Sequence, residues 1–254
     1  MKTIVLANDK GGVAKTTSVI NLAVGLVGAG KKVLAIDLDG QANMTSVLVG
    51  HKDSNPTVFE YLTGKGREAV KLEDVLITDL EEGVHLIPSD NQMKSAEVHL
   101  GRMIDSQRLL LHKMREIEPL GYDYVIIDTP PTSTLVKLLG LFCADVVVAP
   151  ITPEDFSVNG LEELVSDLAI VSDALGRGID FRVLLCKTDY TRMTQNIKGD
   201  LRENGVAEYM FATEIPLNTS VREASRRKQS VLKYAPDSKG AIAYANLVKE
   251  VIKL

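Results

Sequence analysis

The chain has 254 residues, is 45% hydrophobic and carries a net charge of −5, which favours one large globular domain, residues 1–254, over two small ones. Its two cysteines, Cys143 and Cys186, adjoin apolar runs, so we expect buried thiols in a reducing compartment and neither a disulfide nor a metal site. No stretch reaches the ~18 to 20 apolar residues of a membrane span, and the N-terminal apolar run is too short for a signal peptide, so the sequence predicts a cytoplasmic protein.

The charge is unevenly distributed. Residues 1–181 contain 16 Lys and Arg against 26 Asp and Glu, whereas residues 182–254 contain 13 against 8. The first part is therefore acidic and the last part basic. Such asymmetry is typical of a basic face on an acidic protein, although chance also produces it.

Short aliphatic or β-branched runs alternate with helix-length amphipathic stretches. The predicted strands are residues 3–7, 32–37, 84–88, 124–128, 145–151 and 182–186. Strands that read as continuous apolar runs are those buried on both faces of a parallel sheet. The sequence therefore predicts an α/β fold: a doubly wound, mostly parallel sheet flanked by helices. Residues 16–27 and 158–175 are predicted crossover helices, and residues 51–66 a long surface excursion.

The first motif, NDKGGVAKTT, follows the first predicted strand and precedes a helix. At such a turn, backbone N–H groups and a helix N-terminus bind phosphates. The two glycines allow close approach, Lys15 supplies a cation for the terminal phosphates, and the Thr16 hydroxyl can bind Mg²⁺. The predicted nucleotide-binding residues of this loop are Gly11, Gly12, Val13, Ala14, Lys15, Thr16 and Thr17. An ordinary capped turn is the alternative, which the order of strand, glycines, Lys-Thr-Thr and helix disfavours.

At these residues the sequence resembles the deviant Walker-A ATPases, x-K-G-G-x-x-K-[ST], and within them the ParA/Soj partition proteins. The resemblance implies that Lys10 reaches the nucleotide of the other subunit in an ATP-bound homodimer. The family usually has Gly at the position of Ala14 and Gln, Pro or another residue at that of Asp9. Ala14 adds only a methyl group, whereas Asp9 is expected to bring a negative charge near the phosphates.

The second motif, VLAIDLDGQANMT, is a predicted strand that ends in Asp37 and Asp39. Their i, i+2 spacing directs both carboxylates to the same side of the pleat. The segment resembles the family's V-L-x-x-D-x-D-P-Q-x-N-x-T, with Gly40 in place of Pro. The resemblance implies that Asp39 orients or activates the attacking water and that Asp37 supports the metal. Spacing alone leaves open that both are exposed carboxylates at a strand end.

The third motif, YVIIDTPP, is an apolar strand that ends in Asp128. This is the Walker-B arrangement, in which the carboxylate holds Mg²⁺, usually through water. Pro130 and Pro131 stiffen the following turn, and the family carries a similar D-x-P-P in its γ-phosphate switch.

The segment CKTD resembles the guanine-reading N-K-x-D of GTPases, with Asp189 as its aspartate, so GTP is an alternative nucleotide. The resemblance to partition ATPases covers nearly the whole chain, however, and favours ATP with Mg²⁺. It also implies that the base lies against residues 215–218, which include Pro216 and Asn218.

Four basic residues fall within about two turns of a predicted helix: Arg222, Arg226, Arg227 and Lys228. The first and second share one face by the i, i+4 rule. Such a cluster, doubled in a dimer, could bind DNA phosphates without reading sequence. A solvated helix face is the alternative, because most charge runs are solvated.

The resemblance implies a DNA partition ATPase associated with the nucleoid. Its catalytic residues would be Lys10, Lys15 and Asp39, and a centromere-binding partner of the ParB type would stimulate its slow hydrolysis. The chain starts at its first strand and resembles the short form, which lacks a helix-turn-helix extension. Membrane recruitment of the MinD type is the main rival, but the C-terminal residues 241–254 are only moderately amphipathic and are expected to form a docked helix. A biosynthetic ligase of the same superfamily ranks third.

Overall fold

The computed structural model describes residues 1–50, 56–64, 66, 69–131, 134–154 and 158–254. Within them, seven parallel strands form one sheet of order β3-β2-β4-β1-β5-β6-β7. The strands are β1 (Lys2–Leu6), β2 (Val33–Asp37), β3 (His85–Ile87), β4 (Tyr124–Asp128), β5 (Val146–Ile151), β6 (Asp180–Thr188) and β7 (Ile215–Pro216). The six predicted strands are confirmed. The seventh was missed because two residues, one of them proline, carry no periodic signal.

Helices cover both faces of the sheet. They are α1 (Lys15–Gly28), α2 (Asn43–Leu48), α3 (Val58–Thr63), α4 (Leu72–Val75), α5 (Ala96–Leu100), α6 (Leu109–Ile117), α7 (Thr134–Leu141), α8 (Val158–Leu175), α9 (Arg192–Glu203), α10 (Thr219–Arg226), α11 (Val231–Tyr234) and α12 (Lys239–Val251). The two predicted crossover helices are confirmed as α1 and α8.

Alternate strand residues enter two separate hydrophobic cores. Ile4 and Leu6 of β1 pack in a core that includes α1, α10, α11 and α12. Val5, between them, packs on the opposite face, in a core that includes α3, α6, α7 and α8. Since strand side chains alternate between faces, this division confirms the doubly wound architecture.

The predicted surface excursion at residues 51–66 is wrong for its described part. Thr57 begins α3 with a capping box: the Glu60 carboxylate accepts from the Thr57 backbone N–H at 2.9 Å, and the Thr57 hydroxyl accepts from Phe59 N. Phe59 and Tyr61 are buried in the core. The T-x-x-E spacing ahead of apolar residues was the signal that sequence reasoning overlooked. Residues 51–55 and 65 of that prediction lie outside the described part of the chain.

The C-terminal helix α12 is docked, as predicted. Tyr244 is fully buried, and its hydroxyl lies 3.1 Å from the Ser18 hydroxyl of α1. Both cysteines are buried, as predicted, and burial raises the pKa of Cys186 to about 12. In the part of the chain that the structure describes, none of the helices has the length and apolarity needed to cross a membrane.

Candidate nucleotide-binding site

The register of the sheet brings the motifs to one edge. Asp128, at the end of β4, is the register partner both of Leu6, at the end of β1, and of Asp37, at the end of β2. The segments that follow these strands therefore leave the sheet side by side. This is the edge at which open α/β sheets bind ligands.

The loop between β1 and α1 closes around Lys15, the first residue of α1. The Lys15 ammonium donates hydrogen bonds to the backbone oxygens of Asn8 at 2.7 Å and Lys10 at 2.9 Å. Gly11 and Gly12 are exposed, and a Cβ on either would meet no atom within 4 Å. The loop thus presents open backbone to an anion, with a buried cation behind it.

Burial lowers the pKa of Lys15, and the carboxylates of Asp128, Asp39 and Asp9 act in the opposite direction without cancelling that effect. The ammonium is therefore held where water stabilises it poorly. A bound polyphosphate would supply negative charge in place of the hydration that burial removes.

Ala14, in place of the usual glycine, is the N-cap of α1 and adopts a left-handed conformation, with φ of +73° and ψ of +25°. A side chain in this region costs roughly 1–2 kcal/mol. Sequence reasoning treated Ala14 as one added methyl group. The structure shows that the substitution also strains the backbone.

We expect Ala14→Gly to raise the melting temperature of the nucleotide-free protein by about 2 °C, since relief of strain exceeds the entropy that glycine loses on folding. Thermal unfolding followed by circular dichroism measures the shift. The matched control is Ala29→Gly, because Ala29 caps the other end of α1 at φ of −87° and has no strain to lose. A lower melting temperature for Ala14→Gly would contradict the prediction.

The three predicted acidic residues lie together but make different contacts. Asp37 is fully buried: one oxygen accepts from Asp39 N, and the other from the backbone and hydroxyl of Thr45 at 2.9 and 2.8 Å. Asp39 is nearly buried and accepts from Gln41 N at 2.8 Å. Burial, partly offset by the Thr45 hydrogen bonds, raises the pKa of Asp37 to about 6.

Asp128 differs from the other two. It is fully buried, and neither of its carboxylate oxygens has a hydrogen-bond partner among the described residues. Burial, followed in size by the Asp37 carboxylate, raises the pKa of Asp128 well above its usual value. The Thr16 hydroxyl lies close enough to lower that pKa in part, although its contact with Asp128 does not have the geometry of a hydrogen bond. An ionised carboxylate in this setting requires a cation.

These donors fit Mg²⁺. Mg²⁺ in nucleotide sites keeps several waters and is held by one or two carboxylates together with substrate phosphates. The unpartnered oxygens of Asp128 beside Thr16 match that donor set. Within the described residues, no group of three or more His, Cys, Asp or Glu side chains is arranged to hold a metal ion.

Gly40, which replaces the family's proline, lies under the 3₁₀ segment Asn91–Ser95. A Cβ at Gly40 would come within 2.8 Å of the backbone nitrogen of Lys94. Proline or alanine therefore does not fit this turn without movement of that segment. The departure from the family pattern has a steric reason in this chain.

A cavity of about 360 Å³ adjoins the start of α1. Residues 215–218, which the resemblance implied for the base, line it together with Ala14 and Thr17. Asn218 also caps α10 by accepting from Ser220 N at 2.9 Å. Pro216 and Asn218 thus lie in a cavity beside the loop, and their contact with a base stays a prediction.

Asp189 does not line this cavity. One of its oxygens accepts from the backbone and hydroxyl of Thr191 and from the Thr194 hydroxyl, at the start of α9. Lys187 of the same segment instead donates to the Gly12 backbone oxygen at 2.7 Å. The role of Asp189 toward a base stays a prediction, and the structure shows Lys187 as a loop contact that sequence reasoning missed.

The basic cluster is exposed but is only half helical. Arg222 and Arg226 lie on α10, whereas Arg227 is its C-cap and Lys228 has a left-handed φ of +57°. The helix ends because Lys228 N and Gln229 N bond back to Ser225 O and Ala224 O, at 3.2 and 3.1 Å. This is a Schellman closure, with lysine where glycine is usual. The prediction of one helix for all four residues is therefore wrong.

Arg222 and Arg226 also line the cavity beside the loop. Sequence reasoning assigned both to DNA alone. The i, i+4 spacing predicted their shared face correctly, but only the packing of α10 against α11 and α12 directs that face toward the cavity.

Comparisons with known proteins agree with this geometry. A family profile described as an AAA domain matches residues 1–181. The chain is 31% identical to the sporulation initiation inhibitor protein Soj of Bacillus subtilis, with 98% of each chain covered. It is 31% identical to the chromosome partitioning protein ParA of Caulobacter vibrioides, with 99% of this chain and 94% of ParA covered.

Among solved structures, cobyrinic acid a,c-diamide synthase of Mycobacterium smegmatis with a bound ATP analogue and magnesium superimposes with a TM-score of 0.83, at 27% identity, covering 100% of this chain and 95% of the synthase. The fold is thus shared between a biosynthetic enzyme and partition proteins. The loop, the carboxylates and the cavity meet at one edge of the sheet, and the chain is similar to Soj and ParA over its full length. The chain therefore belongs to the ParA/Soj family of P-loop ATPases.

Proposed function

We propose that this ATPase is a DNA partition protein, in which an ATP-bound homodimer binds non-specific DNA and hydrolysis releases it. The observation that carries the proposal is that α10 adjoins both the cavity beside the loop and an exposed basic surface. The helix contributes Arg222 and Arg226 to the cavity beside the loop, and its C-cap Arg227 is exposed next to them. A single short helix therefore borders both the nucleotide and the surface proposed for DNA.

ATP phosphates bind to residues 11–17, with Lys15 as the buried cation. Thr16 and Asp128, together with the phosphates, would hold Mg²⁺, which would supply positive charge beside the transferred group. Asp37 orients the segment that carries Asp39, through its hydrogen bonds to Asp39 N and Thr45. Asp39 orients the attacking water.

Lys10 acts across the dimer. Its backbone is fixed from both sides, since Lys10 N donates to the Asn8 side chain at 2.9 Å and Lys10 O accepts from Lys15. Its side chain supplies the second cation, to the nucleotide of the other subunit. Because the closed dimer needs both nucleotides, ATP selects the state that presents two basic clusters. A ParB-type partner accelerates hydrolysis and so resets the cycle.

The test is retention on a non-specific duplex with ATP, ADP, GTP or no nucleotide. We expect retention with ATP only, falling steeply as salt rises. Arg227→Ala is the informative variant because Arg227 does not line the cavity, and it should weaken ATP-dependent retention by roughly tenfold while leaving ATP hydrolysis intact. Lys10→Ala should abolish retention by preventing the closed dimer.

The matched control is Arg115→Ala. Arg115 is also exposed, but it lies on α6, which packs on the opposite face of the sheet from α10. Retention of the Arg115→Ala variant on the duplex should equal that of the unsubstituted protein. Retention that is independent of nucleotide, or equal losses for Arg227→Ala and Arg115→Ala, would contradict the proposal.

A further inference from the structure

A buried lysine joins the phosphate loop to two helices. The Lys137 ammonium lies 2.7 and 2.9 Å from the two carboxylate oxygens of Asp9, and 2.7 Å from an oxygen of Asp167. Lys137 is on α7 and Asp167 on α8, whereas Asp9 immediately precedes Lys10. Lys137 is 5% exposed, whereas the side chains of Asp9 and Asp167 are 32% and 26% exposed, so the ammonium is the shielded member of the cluster.

Asp9 is an unfavourable residue beside an anion site. Its carboxylate is near enough to Lys15 to raise the pKa of that ammonium, so its field reaches the cation proposed to contact the phosphates. An unpaired carboxylate here would repel a nucleotide. The contact of both Asp9 oxygens with the Lys137 ammonium reduces that repulsion by pairing Asp9 with a fixed cation.

Lys137 is held as a cation. Burial lowers the pKa of Lys137, but hydrogen bonds and charges of Asp167 and Asp9 outweigh burial, and the net shift is upward. Asp167 of α8 binds the same ammonium at 2.7 Å. Lys137 is therefore a fixed counter-ion for Asp9, and the Asp167 carboxylate holds it in position.

We propose that Lys137 is a positioning residue for nucleotide binding: it pairs with the Asp9 carboxylate and so keeps the phosphate loop attractive to anions. The inference depends on nucleotide binding at the loop and not on DNA binding. The competing role is purely structural, in which Lys137 ties α7 to α8 through Asp167 and its contact with Asp9 has no bearing on nucleotide.

The test uses the full chain and fluorescent mant-ADP with Mg²⁺ as the probe, in a four-variant series. Lys137→Met should raise the dissociation constant about tenfold, because Asp9 becomes an uncompensated charge near the phosphates. Adding Asp9→Asn to Lys137→Met should restore the constant to within about twofold of the unsubstituted protein. Asp167→Asn, which breaks the other ion pair of the same lysine, should leave it unchanged.

Asp9→Asn alone keeps the inference testable if Lys137→Met does not fold, which thermal unfolding would reveal. It should bind mant-ADP as tightly as the unsubstituted protein or more tightly. A double variant as weak as Lys137→Met, a loss in Asp167→Asn equal to that in Lys137→Met, or weaker binding by Asp9→Asn alone would each overturn the inference. An unsubstituted protein that fails to bind mant-ADP would instead contradict nucleotide binding itself.

Discussion

Lys15→Met should lower kcat/KM for ATP by a factor on the order of 10³, because methionine keeps the aliphatic stem and removes the cation that the loop encloses. The same change should not lower the melting temperature. Burial lowers the pKa of Lys15 despite three nearby carboxylates, so the charge on Lys15 reduces the stability of the folded protein. Steady-state hydrolysis and thermal unfolding of one preparation measure both effects.

The control for Lys15→Met is Lys187→Met. Lys187 also donates to the loop, at Gly12 O, but it is exposed and reaches the loop from β6. We expect a loss of at most about tenfold there, since a solvated cation contributes less than a buried one. A similar loss in both variants, or a loss below tenfold for Lys15→Met, would mean that Lys15 is not the principal phosphate cation.

The second large effect is expected for Asp39→Asn, which should lower kcat by roughly 10² to 10⁴ while the dissociation constant for ATP stays within about threefold. Asparagine retains an oxygen that can accept from Gln41 N, so the turn is preserved and only the charge proposed to act on the water is lost. Single-turnover hydrolysis together with equilibrium binding separates the two quantities.

Asp90→Asn is the matched control for Asp39→Asn. The Asp90 carboxylate accepts from Gln92 N at 2.9 Å, the same i to i+2 contact, but Asp90 caps the 3₁₀ segment and is not among the predicted site residues. Its kinetic constants should not change. If Asp39→Asn weakened ATP binding as much as it slowed turnover, Asp39 would be a binding group and its proposed role with water would be wrong.

Local patterns predicted most of the sheet and two of its crossover helices. Six of the seven strands and the helices α1 and α8 follow from apolar runs and their spacing, because each is a contiguous stretch whose burial the sequence records directly. Helix α3 was missed although its capping box is present in the sequence. Strand β7 carries no local signal, because it exists only through pairing with the end of β6.

The sequence by itself determined the phosphate loop and the strand-end aspartates Asp37, Asp39 and Asp128, since each motif is short and its chemistry depends on neighbours in the chain. Only the tertiary structure decided which distant residues serve that loop. Lys137 meets Asp9 across 128 positions, and Lys187 meets Gly12 across 175. Such contacts form because parallel strands bring separate segments to one edge of the sheet, a proximity that no periodicity along the chain encodes.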